Sequence, residues 1–361
     1  MEHMNIDDIQ KRIGEIMGQF KIAKAGLMTT VQDLGRYGYQ QYGVSVSGAM
    51  DQVAAKLANI LVGNDENEGL LEATMIGPEM EFLQPTAIAI TGGDLQAHIN
   101  NKPISLNKSI AVNSGDYLSF KGVKKGCRTY IGFAGGIDVP IVMGSKSTFL
   151  RAQMGGYEGR ALKAGDIVNT GIRLSDFSEW QLPEDFYDYG GETVEVRVVL
   201  GPQDDAFTEE GINTLFNSVY GVSNNCDRMG YTLEGNVIQH KYKADIISDG
   251  IAMGAIQVPS KGNPIIMMAD RQTTGGYTKI GNVITADLPK IAQSKPGDKI
   301  IFIKSSLQEA HTLIKELDEK IEAAKKQFIN HTHIKSDIIS TRNFMLRINE
   351  KVYDVKVEEL K

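Results

Sequence analysis

Four glycine-flanked stretches gather most of the side chains that could do chemistry in this sequence. They span residues 30–51, 224–235, 248–259 and 269–281. Between them they supply acids, arginines, amides, hydroxyls and a lysine: Gln32, Asp33, Arg36, Asp51, Asp227, Arg228, Asp249, Gln257, Asp270, Arg271, Gln272, Thr273, Thr274 and Lys279. Glycines let backbone N–H groups approach a ligand, side-chain amides present a donor and an acceptor together, and arginine clamps carboxylates. The set therefore suits a small planar amide, ureide or carboxylate.

Gln257 stands out because an apolar stretch precedes it and Val-Pro follows it, so it could project from a strand end into a cleft. A structural interpretation of the charged residues stays open beside this one. Asp227 is followed directly by Arg228, and the two could form an ion pair or a turn cap. The same holds for Asp270 and Arg271.

Other kinds of site are not indicated. His331 and His333 are the only histidines at metal-like spacing, and they lie in a polar segment, so no metal is predicted. Residues 144–148, GSKST, lack the earlier glycine of a phosphate-binding loop. The two cysteines, Cys127 and Cys226, are predicted to be free thiols in a reducing, cytoplasmic environment.

Length and composition describe an ordinary soluble protein. The chain has 361 residues, 42% of them hydrophobic and 23% charged, which is enough for about two domains. Its net charge of −7 disfavours a nucleic-acid partner. No apolar run reaches the roughly 18 residues of a membrane span, and the charged N-terminus is unlike a signal peptide. We predict a cytoplasmic protein without nucleic-acid or membrane partners.

Short apolar segments separated by Gly, Asn, Asp and Pro dominate residues 21–303 and predict many strands. Residues 5–20 place isoleucines and Phe20 at helical spacing and predict an amphipathic helix. Further helices are predicted at 49–62 and 205–219. The expected fold class is a β-rich α+β body.

The C-terminal part has a different texture. Ser306 and Glu309 form a capping-box pair that begins a predicted helix over 306–327. Residues 330–343 are predicted to be a linker, and 344–360 a hairpin of two strands.

The body repeats several motifs in the same order. DLGRYGY at 33–39 is echoed by CDRMGY at 226–231, and SGDYLSF at 114–120 by PGDKIIF at 296–302. ITGGDL at 90–95 sits roughly where MADRQTTGG does later. This predicts two related domains that meet at a site-forming junction. The predicted division is 1–20 (helix), 21–190 (first domain), 191–304 (second domain), 305–330 (helix) and 331–361 (linker and strand tail).

Residues 30–51, 58–82, 132–148, 226–235 and 248–302 together strongly resemble the biotin-dependent carboxyltransferase family. This family includes the C-type subunit of 5-oxoprolinase, also called KipA-like or allophanate hydrolase subunit 2, and the carboxyltransferase region of urea carboxylase. The resemblance runs from about residue 24 to residue 303. It implies an enzyme component with two related cyclophilin-like β-barrel domains.

The resemblance implies a subunit of an ATP-dependent 5-oxoprolinase-type complex, which opens the cyclic amide 5-oxoproline to glutamate. Its partners would be two further subunits, one B-type and KipI-like, the other A-type and LamB/YcsF-like. The alternative is a carboxyltransferase that moves a carboxyl group from carboxybiotin to urea or a similar small amide, with biotin carboxylase and a biotin carrier as partners. An alternative of another class is a non-enzymatic regulatory partner of a KipI-like protein.

Roles for individual residues follow from this resemblance as hypotheses. Asp270 or Asp33 would transfer a proton, and Gln257 would orient the substrate. Arg228 or Arg271 would hold a carboxyl group. The wider binding set comprises Gln32, Asp227, Gln272, Thr273 and Lys279.

Backbone amides near Gly254, or near Gly275 and Gly276, would hold a developing oxyanion, and one such donor is worth about 3 kcal/mol. No cofactor is expected to be bound covalently. Carboxybiotin would sit on a partner carrier, and ATP would bind a partner protein of the complex.

The tail at 344–360 is similar to the opening strands of biotinyl carrier domains. No Ala/Val-Met-Lys-Met acceptor sequence occurs in the chain, so it is not expected to carry biotin itself. The tail favours a biotin-linked system without deciding between the alternatives.

Overall fold

The first half of the body consists of two sheets packed face to face. The computed structural model describes residues 17–172, 179–333, 338–348 and 351–360. The strands of this half are β1 (Met17–Lys24), β2 (Met28–Gln32), β3 (Leu70–Thr74), β4 (Glu79–Phe82), β5 (Thr86–Asp94), β6 (Ala97–Ile99), β7 (Lys102–Pro103), β8 (Ser109–Val112), β9 (Tyr117–Phe120), β10 (Lys125–Phe133) and β11 (Ile167–Ile172). One sheet has the order β11-β1-β4-β9-β6-β7 and the other β2-β3-β10-β5-β8. Their facing side chains form one buried cluster, in which the rings of Phe20 and Phe133 stack 4.6 Å apart.

The second half contains a closed barrel. Its strands are β12 (Thr193–Leu200), β13 (Val219–Cys226), β14 (Gly230–Glu234), β15 (Asp245–Gly250), β16 (Ala255–Gln257), β17 (Ile265–Met267), β18 (Thr274–Tyr277), β19 (Lys279–Val283) and β20 (Lys299–Lys304). Seven of them close in the order β12-β19-β16-β17-β14-β13-β20, while β15 and β18 pair as a separate ribbon. The barrel wall follows the alternation of a strand: Val194, Val196 and Val198 are buried, whereas Thr193 before them and Glu195 between them are exposed.

The described residues include four α-helices: α1 (Gln52–Leu61), α2 (Glu209–Asn217), α3 (Leu288–Gln293) and α4 (Leu307–His333). The starts of α1 and α2 follow from capping residues. The Asp51 carboxylate accepts from the Ala54 N–H at 2.9 Å, and Thr208 Oγ1 accepts from the Gly211 N–H. Among the described helices, none combines the length and hydropathy that crossing a bilayer requires.

The expected β-rich α+β class is confirmed, and so are the helices predicted over 49–62 and 306–327. Ser306 Oγ accepts from the Glu309 N–H at 3.1 Å, as its predicted capping role requires. The helix predicted over 205–219 is only partly present, because a 3-10 turn (Asp204–Ala206) precedes α2 and β13 begins at Val219.

Two other predictions need correction. Residues 17–20 of the predicted N-terminal helix begin β1, because Phe20 and Ile22 alternate into the sheet core; residues 5–16 lie outside the described residues. The segment 330–343 is not a plain linker, because α4 continues to His333 and β21 (Ile338–Ile348) begins soon after. The hairpin is confirmed, with β22 (Lys351–Leu360) antiparallel to β21.

Long-range hydrogen bonds join the two halves and fix the position of the site. The Ser47 N–H donates to the Ala269 carbonyl at 3.1 Å, and Ser45 Oγ donates to the Arg271 carbonyl at 2.7 Å. On another part of the junction, the carboxamide of Gln293 makes three hydrogen bonds to the irregular start of β10 and a fourth to the Asp51 carboxylate. The segment 33–51 therefore meets the segment 269–271 where the two halves join.

Candidate functional site

A buried ion-pair cluster lies where the halves meet, with Arg228 at its centre. The Arg228 guanidinium binds both oxygens of Asp270, with Nε–Oδ2 and Nη2–Oδ1 distances of 3.0 Å. Its Nη1 binds Glu72 Oε1 of β3, and its Nη2 also reaches the Gly48 carbonyl at 2.6 Å. Because Glu72 belongs to the first half and Asp270 to the second, Arg228 connects them through charge-assisted hydrogen bonds.

The two carboxylates of this cluster accept further hydrogen bonds from neighbouring groups. Glu72 Oε2 accepts from the Met50 N–H and from Tyr130 Oη, both at 2.8 Å. Burial raises the pKa of Glu72, but Arg228 and Arg128 more than offset it, so the pKa lies below its ordinary value. Ser47 Oγ donates to Asp270 Oδ1 at 2.8 Å.

This geometry favours the structural interpretation of Arg228 and Asp270 over roles in carboxyl binding and proton transfer. A general base needs a free lone pair within reach of the substrate proton. Asp270 is only 7% exposed and bound on both oxygens. Arg228 is 3% exposed, and each of its three guanidinium nitrogens makes a hydrogen bond within the protein. Glu72 and Tyr130 escaped the sequence analysis because they sit in strand-like segments without any motif.

Asp33 and Gln32 bind within the first half. The Asp33 carboxylate accepts from the Gly35 N–H at 2.8 Å, from the Lys146 N–H at 2.6 Å and from two serine hydroxyls, Ser145 and Ser147. Gln32 Nε2 donates to Thr30 Oγ1 and the Thr148 carbonyl. Asp33 thus holds the turn around residue 146, and its role in proton transfer stays a prediction.

A second polar cluster lies at one end of the barrel, where β16 and β19 pair. Gln257 and Lys279 are directly opposite each other in this pair. The Lys279 side chain is 3% exposed, and its ammonium binds Asp249 Oδ2 at 3.0 Å, whereas the Asp249 side chain is 54% exposed. Gln203 Nε2 donates to the same oxygen at 3.1 Å, and Gln203 Oε1 accepts from the Lys279 N–H. We call these four residues with Gly275 the barrel-end cluster.

The charge state of this cluster follows from its contacts. Hydrogen bonds from Lys279, the Gly250 N–H and Gln203 lower the pKa of Asp249 below its ordinary value. Asp249 is therefore an ionised acceptor at neutral pH, partly open to solvent. Its Lys279 partner is a buried cation held by a single carboxylate.

Gln257 carries the least satisfied amide of the site. The residue is 2% exposed. Within the described residues its Nε2 is buried without a hydrogen-bond partner, and its Oε1 receives no hydrogen bond either. Buried amides in native proteins are nearly always paired, so the unpaired Nε2 of Gln257 is a candidate contact for a ligand. Gly275 makes the place possible, because a Cβ at that position would lie 2.7 Å from Gln257 Nε2.

Three other predicted residues border this cluster. Arg271 donates from Nε to the Ile251 carbonyl at 2.9 Å, and burial lowers its pKa. The Thr273 carbonyl accepts from the Ile251 N–H. Gln272 is exposed, and its Nε2 lies 3.5 Å from the Cβ position of Gly275.

Two other predicted residues, Gly254 and Asp227, make hydrogen bonds within the protein. The Gly254 N–H donates to the Met267 carbonyl at 2.7 Å, so it cannot serve as an oxyanion donor. Asp227 is an exposed turn cap whose Oδ1 accepts from the N–H groups of Met229 and Gly230. Gly276 lies in β18 above Ile246 of the ribbon. Oxyanion roles for Gly275 and Gly276 stay predictions.

Gln203 is a site residue that sequence reasoning missed. It follows a Gly-Pro pair and enters the cluster only because the chain there runs beside β19, its N–H donating to the Lys279 carbonyl. Asp249 lies in the glycine-flanked stretch 248–259, but the sequence analysis gave it no role. The signal that could have identified it is its position two residues before the apolar run that leads to Gln257.

A wide cleft lies elsewhere on the junction. It has a volume of about 820 Å³ and is lined by Gly92, Gly93, Gly126, Gln293 and residues 184–189, among others. A neighbouring cleft of about 530 Å³ shares the Gln293 wall. None of the predicted site residues lines either cleft. We place the candidate site at the barrel-end cluster because the buried Nε2 of Gln257 has no hydrogen-bond partner among the described residues and Gln257 lies directly opposite the buried Lys279.

Asp51 makes the stability of the junction depend on pH. It is fully buried, and burial raises its pKa to about 6 from 3.8. Between these values the folded state binds more protons than the unfolded state, so this group adds stability as the pH falls from 6 towards 4. As the pH falls from 6 towards 4, we expect the free energy of unfolding of the native chain to rise relative to that of Asp51→Asn. Urea denaturation at several pH values measures it; a difference independent of pH contradicts it.

Comparison with known proteins places these features in context. Residues 42–304 match the family described as carboxyltransferase domain, subdomain A and B. The chain is 39% identical to the C-type subunit of 5-oxoprolinase from Escherichia coli over 290 residues, covering 80% of this chain and 92% of that protein. It is 35% identical to urea amidolyase of Lachancea kluyveri over 328 residues, covering 84% of this chain but 18% of that protein. The crystal structure of the Kluyveromyces lactis urea carboxylase is similar with a TM-score of 0.78 and 33% identity, over 85% of this chain and 29% of that one.

Proposed function

Because the chain belongs to the carboxyltransferase domain family, we propose that it is the C-type subunit of an ATP-dependent 5-oxoprolinase complex. The complex would open 5-oxoproline to glutamate. The nearly full-length match to the C-type subunit of 5-oxoprolinase supports this reaction over others of the family. The observation that carries it is the unpaired carboxamide of Gln257 beside the buried ammonium of Lys279.

The barrel-end cluster supplies what a lactam needs. Gln257 can donate to a carbonyl oxygen and accept from an amide N–H. Lys279 would stabilise negative charge that develops on the carbonyl oxygen, in a site where little water competes. Asp249, ionised and partly exposed, would accept a hydrogen bond from the substrate N–H or orient an attacking water. ATP would be handled by the partner subunits.

Reconstitution tests this proposal. The chain is mixed with its two expected partners, the B-type KipI-like and the A-type LamB/YcsF-like proteins, and release of glutamate and phosphate from 5-oxoproline and ATP is measured. We expect both products only with all three proteins present. A stable complex that releases neither product contradicts the proposal.

Carboxyl transfer to urea is the second candidate, favoured by the structural similarity to urea carboxylase. The chain spans only 18% of the Lachancea urea amidolyase, so the reaction of that whole enzyme would require separate biotin carboxylase and carrier partners. Avidin separates the two candidates, since trapping biotin would abolish carboxyl transfer and leave 5-oxoproline opening intact.

Gly275→Ala tests whether the Gln257 amide must keep its place. The new methyl group would come within 2.7 Å of Gln257 Nε2 and 2.6 Å of Ile251 Cδ1. Both are ends of flexible side chains, so we expect a stability change within about 1 kcal/mol. The displaced amide should lower turnover of the reconstituted complex about 100-fold.

Gly276→Ala is the matched control for this substitution. Its methyl group would meet nothing nearer than the Ile246 carbonyl oxygen at 3.5 Å. Turnover should stay within a factor of about three of the native value. Equal losses in both variants would mean that the ribbon as a whole, and not the Gln257 amide, is being disturbed.

A further inference from the structure

We infer that the barrel-end cluster selects amides whose N–H and C=O lie on the same side of the C–N bond, and that Gln257 reads this cis edge with both ends of its carboxamide. The inference rests on the proposed function, because it names the substrate class of the same site. Lactams, ureas and primary amides offer such an edge. An open-chain secondary amide is trans, because its cis form costs about 2.5 kcal/mol or more.

The unpaired state of both amide ends leads to this conclusion. A carboxamide holds a donor and an acceptor side by side. A cis amide presents an acceptor and a donor in the complementary order, so two parallel hydrogen bonds form at once. A trans amide sends its N–H and C=O in opposite directions and can satisfy only one end of Gln257. Either Nε2 or Oε1 of Gln257 would then stay unpaired, which disfavours binding. The pairing works in either orientation of the Gln257 carboxamide.

The surroundings of Gln257 suit a small ring. Gly275 has no side chain of its own beside Nε2, and the ends of the flexible Ile251 and Gln272 side chains lie 2.6 and 3.5 Å from its Cβ position. Lys279 lies directly across the strand pair and can donate to the second lone pair of the substrate carbonyl. Asp249 Oδ2 accepts hydrogen bonds from Gln203 Nε2 and from the Lys279 ammonium, which holds Lys279 in place. Gln257 and Lys279 would thus both bind the same N–C=O unit.

Ligand binding to the native chain within its complete complex gives the first test. Calorimetry compares 5-oxoproline with its N-methyl derivative, which lacks the N–H, and with N-acetylglycine, a trans amide that also carries a carboxylate. We expect both analogues to bind about 10- to 100-fold more weakly than 5-oxoproline. Binding of either within a factor of about three of 5-oxoproline, or no binding of any cis amide, overturns the inference.

Gln257→Glu gives the second test, because it replaces donor-plus-acceptor with two acceptors of nearly the same shape. A cyclic amidinium such as 2-iminopyrrolidine offers two N–H donors on one edge and fits a carboxylate in two-point contact. We expect the variant to prefer the amidinium over the lactam, reversing the native preference by at least about 10-fold in each direction. Thermal unfolding checks that the variant folds. An unreversed preference in a folded variant overturns the inference.

The outcomes separate this inference from the proposed function. In one outcome the complete complex selects cis amides, with the preference reversed in Gln257→Glu, and yet does not open 5-oxoproline. That result would contradict the proposed reaction and would leave a binding site for another cis amide. If the complex opens 5-oxoproline without selecting cis amides, only the inference is contradicted.

Discussion

Replacing Arg228 with methionine should lower the free energy of unfolding by about 3–5 kcal/mol, the cost of leaving buried charges without their partner. Glu72 and Asp270 would both lose their main counter-charge. Each is less than a tenth exposed, so water cannot replace the guanidinium. Since Glu72 lies in the first half and Asp270 in the second, the loss should also loosen the junction. Urea denaturation followed by circular dichroism measures the change.

Arg271→Met is the matched control. Arg271 neighbours Asp270 in sequence but binds only the carbonyl groups of Ile251 and Met268 within the described residues. Its removal strands no buried carboxylate, so we expect a loss of only about 1 kcal/mol. A loss below about 1 kcal/mol for Arg228→Met, or equal losses for the two variants, would show that the ion-pair cluster does not hold the halves together.

Gln257→Leu should abolish most activity while leaving stability unchanged or slightly higher. The native amide makes no hydrogen bond to the described protein, so leucine removes an unsatisfied buried group without breaking a contact. We expect a gain of up to about 1 kcal/mol in the free energy of unfolding. Turnover of the reconstituted complex should fall about 100- to 1,000-fold, the usual effect of removing one group that holds a developing oxyanion.

Gln293→Leu is the matched control, because it makes the same substitution at a buried glutamine whose amide is fully hydrogen-bonded. Its carboxamide accepts from the Cys127 and Arg128 N–H groups and donates to Asp51 and the Arg128 carbonyl. All four contacts cross the junction, so this variant should lose about 2–4 kcal/mol of stability. If Gln257→Leu proved as destabilising as Gln293→Leu, the Gln257 amide would be a structural group and not a binding group.

Turns and helix caps could be predicted from the sequence because they depend on residues close together in the chain. The two repeated Gly-Asp turns are an example. Asp116 caps the N–H of Asn113 before β9, and Asp298 caps the N–H of Lys295 before β20, with nearly the same distances of 2.8 and 3.0 Å. The repeat therefore survives as repeated turn chemistry. Helices α1 and α4 were equally visible, since a cap and a 3.6-residue period are local signals.

The partners of the charged residues were not readable, because they come from distant parts of the chain. Arg228 follows Asp227 in sequence yet binds Asp270 and Glu72, 42 and 156 residues away. Asp33 looked like Asp270 in its glycine-rich setting, but its oxygens hold a turn 113 residues away. Strand pairing decides such contacts, and register cannot be derived from composition. The segment 17–20 shows the same limit, since tertiary pairing with β4 and β11 made it a strand.

Gln257 was singled out because apolar residues and a Val-Pro pair mark the end of a strand, and β16 does end at this residue. What the sequence could not show was that its amide lacks a partner among the described residues or that Gly275 lies against it. Gln203 and Asp249 entered the cluster only through the pairing of β19 and of the ribbon.

A crystal structure of the chain with 5-oxoproline bound tests the central claim most directly. The account predicts electron density for the lactam between Gln257 and Lys279, with its N–H and C=O both within hydrogen-bonding distance of the Gln257 carboxamide. Density in the cleft beside Gly93 and Gln293, with the barrel-end cluster occupied only by solvent, would contradict it.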